Sequence, residues 1–348
     1  MIAWFRYICL IVSLIITMPE LLSAQRLVSQ RQEDVEAGLL YNESVYILSN
    51  YSCLSSNSPE KLSLDELLRK QIEGFYFYLK RDTETNVLLL RKPDGTFTPF
   101  SESLEAIKTA LDADSTKVMT LFLDFYVETE LESSFKEIGL MEYVLEYDTK
   151  NGWPSLKDML SSGKRLVVFE VQKHLNSPSW LHNMRDFVEH TDADWGNQPE
   201  GVESFDERLK KNLSLFTGYK FLETSRGNSN DISALARQTP YLIESFKRAW
   251  IRDGRVPNFI LVDKYYAWLD VSLVTFRNFD IIYGAVTNNN ELLNYVNWDG
   301  MSNYTTGKYC FPLEPGAELM LSPISPGYRI EPATVYVSGT QRLSLIHI

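Results

Sequence analysis

Cysteine and histidine are scarce in this 348-residue chain, which holds three of the first and four of the second. Cys9 falls in an apolar leader, leaving Cys53 and Cys310. These two could form one disulfide in an oxidising compartment or remain separate thiols, and the count leaves both open. No CxxC pair and no metal-type cysteine spacing occurs, which argues against a structural zinc site. Blocks of positive charge are also missing: 34 Lys+Arg face 46 Asp+Glu, for a net charge of -12. Affinity for phosphate backbones rests on clustered cations, so nucleic acid is excluded as a partner and unaided adsorption to anionic membranes is disfavoured. Past the leader no apolar run reaches the roughly 18–20 residues of a membrane helix, so no transmembrane segment is expected. A glycine-rich phosphate loop, GxSxG and HExxH are absent too. What is present, 44% hydrophobic and 13% aromatic residues, supplies a large core and rules out disorder.

The N-terminus carries one cation at Arg6, an apolar stretch from Tyr7 to Met18, and the small-residue site Leu22-Ser-Ala24 before Gln25. This is the anatomy of a cleaved secretory signal over residues 1–24, and Pro19 and Glu20 break it where an uncleaved anchor would continue. The protein is expected to be secreted, periplasmic or at the cell surface.

After a lead-in at 25–43, short apolar runs alternate with amphipathic ones. Strands are predicted at 45–49, 74–79, 118–124, 165–170, 213–218, 258–263 and 281–286, and helices at 63–71, 100–112, 131–139, 155–162, 179–188, 231–250 and 267–277. Strands such as Leu-Val-Val-Phe at 166–169 are apolar throughout, as strands buried on both faces of a parallel sheet are. Ser63 with Glu66 and Ser155 with Asp158 mark helix starts. Repeated β-then-α units over 44–286 predict an α/β fold of the TIM-type (β/α) barrel class. From 287 to 342 the texture turns to asparagine, proline and short β-rich pieces, read as a linker and the start of a truncated β-rich domain. The last six residues, 343–348, are what a common sequencing adapter spells when translated, so they are expected to be foreign to the natural chain.

Four strings carry a resemblance. Residues 152–169 read GWPSLKDMLSSGKRLVVF; 256–265 read VPNFILVDKY; 63–75 read SLDELLRKQIEGF; and 120–126 read TLFLDFY. Taken in their order along the chain, they resemble the secreted phosphatidylinositol-specific phospholipase C-like phosphodiesterases, whose fold is such a barrel and whose activity is phosphoric diester hydrolysis. The resemblance implies a histidine base at the end of strand one, a histidine acid after strand two, an Asp on a late strand that orients the base, and in some members a calcium ion held by an Asn and carboxylates.

Carried onto this chain position by position, the implied site is altered. Asn50 stands in place of the general base, and an amide has no accessible protonation near neutral pH. Arg91 stands near the place of the acid and stays charged, with a pKa above roughly 12. Tyr76 and Tyr78 replace carboxylates of the calcium-dependent members, so no metal or other cofactor is expected. Asp263 keeps the orienting position, Asp124 the acid position of strand three, and Glu170 adds charge at the mouth. Strand-end caps would explain Asp124 and Asp263 equally well.

His174 is the candidate replacement base. His182 and His190, with Asp192 and Asp194, form a loose cluster that matches no established metal spacing. Tyr76, Tyr78, Tyr126, Tyr265, Tyr266 and Trp268 cluster near strand ends and could stack on a sugar or cyclitol ring. The preferred reading is a barrel whose hydrolysis is lost or strongly impaired and whose mouth binds a small phosphate- or cyclitol-type ligand or a protein partner, with Asp124, Glu170, Tyr76, Tyr78 and Tyr265 as binding residues. The alternatives are an active phosphoric diester hydrolase using His174, and a surface or adhesive scaffold.

Overall fold

A computed structural model describes residues 32, 34–52, 63–70, 72–125, 131–147, 150–172, 174, 177–190, 215–221, 258–262, 280–288, 291–293, 295–298, 304–305, 308–313, 316–338 and 341–345. The leader, the helices expected at 231–250 and 267–277, and Cys53, Tyr126, Asp263, Tyr265, Tyr266 and Trp268 lie outside these residues.

Eight parallel strands form the main sheet: β1 (Tyr46–Ser49), β2 (Gly74–Arg81), β5 (Met119–Asp124), β6 (Leu166–Glu170), β7 (Leu181–Asn183), β8 (Val188–His190), β9 (Leu215–Phe221) and β10 (Phe259–Val262). Their order is β7-β6-β5-β2-β1-β10-β9-β8, so β1 lies between β2 and the last strand. That is the sequential order of a TIM-type (β/α) barrel, and the chain has this α/β fold with a β-rich C-terminal segment. Among the described residues no ladder joins β7 to β8; the single turn α5 (Met184–Phe187) links them along the chain.

Strand alternation sorts the apolar residues into two layers. Ile47, Phe75, Phe77, Leu121, Leu123, Leu166 and Val168 point outward, under the helices. Tyr46, Leu48, Phe122, Val167, Phe169 and Phe259 point inward and fill the barrel with Tyr41 and Trp153. Tyr41 hydroxyl and Thr120 Oγ1 are bonded at 2.7 Å, and Tyr46 donates its hydroxyl hydrogen to the Tyr41 carbonyl at 3.1 Å. The interior is thus a plugged core, which leaves chemistry to the strand ends.

The helices follow local signals. Ser63 accepts from the Glu66 amide at 3.3 Å while the Glu66 carboxylate accepts from the Ser63 amide at 2.7 Å, a reciprocal cap for α1 (Leu64–Arg69). In α2 (Phe100–Ala113), Phe100, Leu104, Ile107 and Leu111 make one buried stripe. The next helix, α3 (Leu131–Ile138), buries Leu131 and Phe135. Ser155 caps α4 (Leu156–Ser162), and Gly163 at φ 74° ends it. The Gly-Lys-Arg before β6 has a structural use: Arg165 donates to the carbonyls of Leu111 at 2.9 Å, Asp114 at 2.6 Å and Lys117 at 3.1 Å, closing the end of α2.

Two expectations are corrected. The segment 179–188 is not one helix but β7, α5 and β8, because Asn183 restarts the chain by accepting from the Arg185 amide at 2.9 Å. The segment 281–286 is not a barrel strand: it belongs to β11 (Asp280–Asn288), which pairs antiparallel with β12 (Lys308–Leu313). A ribbon was also missed. β2 runs on to Arg81 and pairs antiparallel with β3 (Leu88–Arg91), which pairs with β4 (Phe97–Pro99).

The C-terminal segment packs more completely than expected, with its own core of Ile282, Val286, Val296, Trp298, Tyr309, Phe311 and Leu313. Residues 343–345, expected to be foreign, end β13 (Gln341–Leu345) beside β11. Such a pairing uses backbone groups that any sequence supplies, so it does not bear on their origin.

Candidate functional site: the barrel mouth

The C-terminal strand ends bring Tyr76, Tyr78, Asp124, Asn50 and Arg91 to one end of the barrel. Tyr76 and Tyr78 share the inward face of β2, and Tyr78 is the register partner of Asp124 on β5. Tyr76 donates its hydroxyl hydrogen to Asp124 Oδ2 at 2.7 Å. Asp124 Oδ1 is buried with no hydrogen-bond partner among the described residues. Asn50 follows the last residue of β1 and is half-buried. Asp263, outside the described residues, follows Val262, which is the register partner of Ser49.

Arg91 reaches the mouth from the β3 ribbon. Its guanidinium carbon lies 5.6 Å from the Tyr78 ring centroid, a cation–π distance. Ser52 fastens the ribbon there: its hydroxyl donates to the Arg91 carbonyl at 2.9 Å and accepts from the Tyr78 amide at 2.8 Å. Ser52 was not singled out from the sequence. A buried hydroxyl bridging two strands leaves no pattern beyond its place after β1.

Glu170 and His174 are brought together, but on the other side of the sheet. Glu170 shares the parity of Leu166 and Val168, which face the outer layer. It is 1% exposed and accepts from Asn183 Nδ2 at 3.2 Å, Ser177 Oγ at 2.6 Å and His174 Nδ1 at 3.0 Å. The His174 ring stacks on Phe125, centroids 4.4 Å apart and planes 5° apart, and Phe125 belongs to the outer core. The expectation that Glu170 adds charge to the mouth is therefore corrected: strand alternation turns its carboxylate outward.

His182 is packed among Tyr147, Trp153, Phe169 and Phe187. Its Nε2–H donates to the Leu145 carbonyl at 3.1 Å. Burial holds the imidazole below its ordinary value of 6.5, outweighing that bond. The unfolded chain therefore takes up this proton first, and stability falls as pH drops below 6.5, by at most about 1.4 kcal/mol per unit. Urea unfolding at pH 7.5 and 5 should show a smaller loss for His182→Gln than for the parent, and equal losses would contradict the assignment. Among the described residues no cluster of three or more metal-ligating side chains occurs, and no helix is long and apolar enough to cross a membrane.

Comparison with known proteins agrees with the sequence resemblance. The family model described as PI-PLC X 1 matches residues 90–199. That stretch holds Arg91, Asp124, Glu170 and His174 and leaves Asn50, Tyr76, Tyr78 and Asp263 outside. No curated protein matches the chain. Among solved structures, a phosphatidylinositol-specific phospholipase C of S. aureus is 14% identical, covering 70% of this chain and 94% of that one at a TM-score of 0.43. The phosphatidylinositol-specific phospholipase C from Listeria monocytogenes is 12% identical, covering 69% and 95% at a TM-score of 0.43.

Proposed function

Proceeding from residues 90–199 as a PI-PLC X-type phosphodiesterase region, we propose that this is an exported barrel whose mouth binds a small phosphate- or cyclitol-bearing ligand and whose phosphodiester hydrolysis is lost or strongly impaired. The observation that carries the reading is Asn50 at the end of β1. The family reaction needs a group there that takes and returns a proton, and an amide does neither at neutral pH. The two histidines whose side chains are described are committed elsewhere, His174 to Glu170 and His182 to the packed interior.

What remains at the mouth suits binding. Tyr76 and Tyr78 line the mouth with aromatic rings, Arg91 supplies a cation, and Asp124 supplies a carboxylate oxygen with no partner among the described residues. A phosphate could pair with the guanidinium while a cyclitol hydroxyl donates to Asp124. Titration calorimetry with myo-inositol 1-phosphate tests this. Measurable binding by the parent, weakened about tenfold in Arg91→Ala, is expected. Equal binding by parent and variant would remove the mouth from the account.

A second reading has one observation in its favour. Glu170 holds His174 through Nδ1, the arrangement that orients an imidazole for base catalysis. Hydrolysis that disappears in His174→Ala would establish it.

A further inference from the structure

The outer Glu170 cluster and the mouth meet at the end of β5. On the mouth side Asp124 is held by the Tyr76 hydroxyl at 2.7 Å. On the opposite side the next residue, Phe125, lies flat against His174 at 4.4 Å. The ladder also runs one step past the strands, from the Val171 amide to the Leu123 carbonyl at 2.9 Å. Residues 123–125 are thus tied to 170–174 by a backbone bond and a ring stack, and Asp124 sits between the two ties with its carboxylate turned the other way.

The strength of this latch lies in Glu170. With 1% of its surface exposed, the carboxylate cannot exchange its protein donors for water. Its bonds to His174, Ser177 and Asn183 therefore hold or fail together. Phe125, 3% exposed, has no room to swing away from the imidazole. We propose that Glu170 and His174 are positioning residues: from the outer face of the sheet they fix the end of β5, hold Asp124 against Tyr76, and so set the affinity of the mouth for its ligand. The inference rests on the reading of the mouth as a binding site, while the latch itself can be observed with no ligand present.

The test uses full-length protein carrying 3-fluorotyrosine at position 76, whose fluorine resonance reports the bond to Asp124. The resonance should move or split in His174→Ala and in Phe125→Leu, and affinity for myo-inositol 1-phosphate should fall about tenfold in both. Glu170→Gln keeps an acceptor for Nδ1–H and should restore both readouts relative to Glu170→Ala. Loss of thermal stability with an unchanged resonance would assign the cluster a structural role alone and overturn the proposal. If the parent binds no myo-inositol 1-phosphate, the binding reading fails, and the fluorine resonance still decides the positioning role.

Discussion

Gly74→Ala is expected to cost about 3 kcal/mol of folding stability, a large effect for the addition of one methyl group. A Cβ at Gly74 would sit 2.2 Å from the Thr120 carbonyl oxygen and 3.0 Å from Leu48 Cγ. The first of these is backbone, so it cannot rotate aside. Gly74 and Thr120 are register partners at the start of the β2–β5 ladder, and the Thr120 amide donates to the Glu73 carbonyl at 2.9 Å. Relief of the clash would have to part the two strands, and it would also pull Thr120 from the Tyr41 hydroxyl inside the barrel. Urea unfolding followed by circular dichroism measures the loss. A variant within about 1 kcal/mol of the parent would mean that β2 and β5 are not packed this closely.

The second large effect is a gain. Asn50→His combined with Arg91→His places a titratable imidazole at each position where the family resemblance implies a proton-transfer group. General acid–base assistance contributes roughly 10²–10⁴-fold, so hydrolysis of phosphatidylinositol should rise at least about 10²-fold over the parent. Asn50→His alone should give a smaller gain, because the leaving oxygen would still lack a proton donor. No gain in the double variant would show that Asn50 and Arg91 are not spaced for one displacement across the mouth, and the position-by-position transfer from the family would fail with it.

Much of the fold was legible because its signals are local. Ser63 with Glu66 and Ser155 with Asp158 marked helix starts that the caps reproduce. The apolar runs at β1, β5 and β6 marked strands with two buried faces. Strands as short as Leu181–Asn183 and Val188–His190 hold too few residues to show a period, so they merged into one expected helix. Residues 281–286 read like a barrel strand because composition records burial and not the direction of the neighbour.

The site was legible as residue types and less so as geometry. Tyr76, Tyr78, Asp124, Asn50 and Arg91 share one barrel end. Glu170 was placed on the wrong side for a physical reason. All five residues of β6 are buried, so its sequence shows no alternation, and nothing in Leu-Val-Val-Phe-Glu tells which way the last side chain turns. The position of His174 followed from that of Glu170, since the carboxylate holds the imidazole.

The central claim is that the barrel has kept its mouth and lost its proton-transfer groups. The most direct measurement is release of water-soluble inositol phosphate from phosphatidylinositol by the purified parent protein, with and without calcium. The account predicts release no faster than that of heat-denatured protein under both conditions. Sustained turnover by the parent would contradict it: turnover lost in His174→Ala would make His174 the base, and turnover that survives His174→Ala would require a base other than Asn50 or His174.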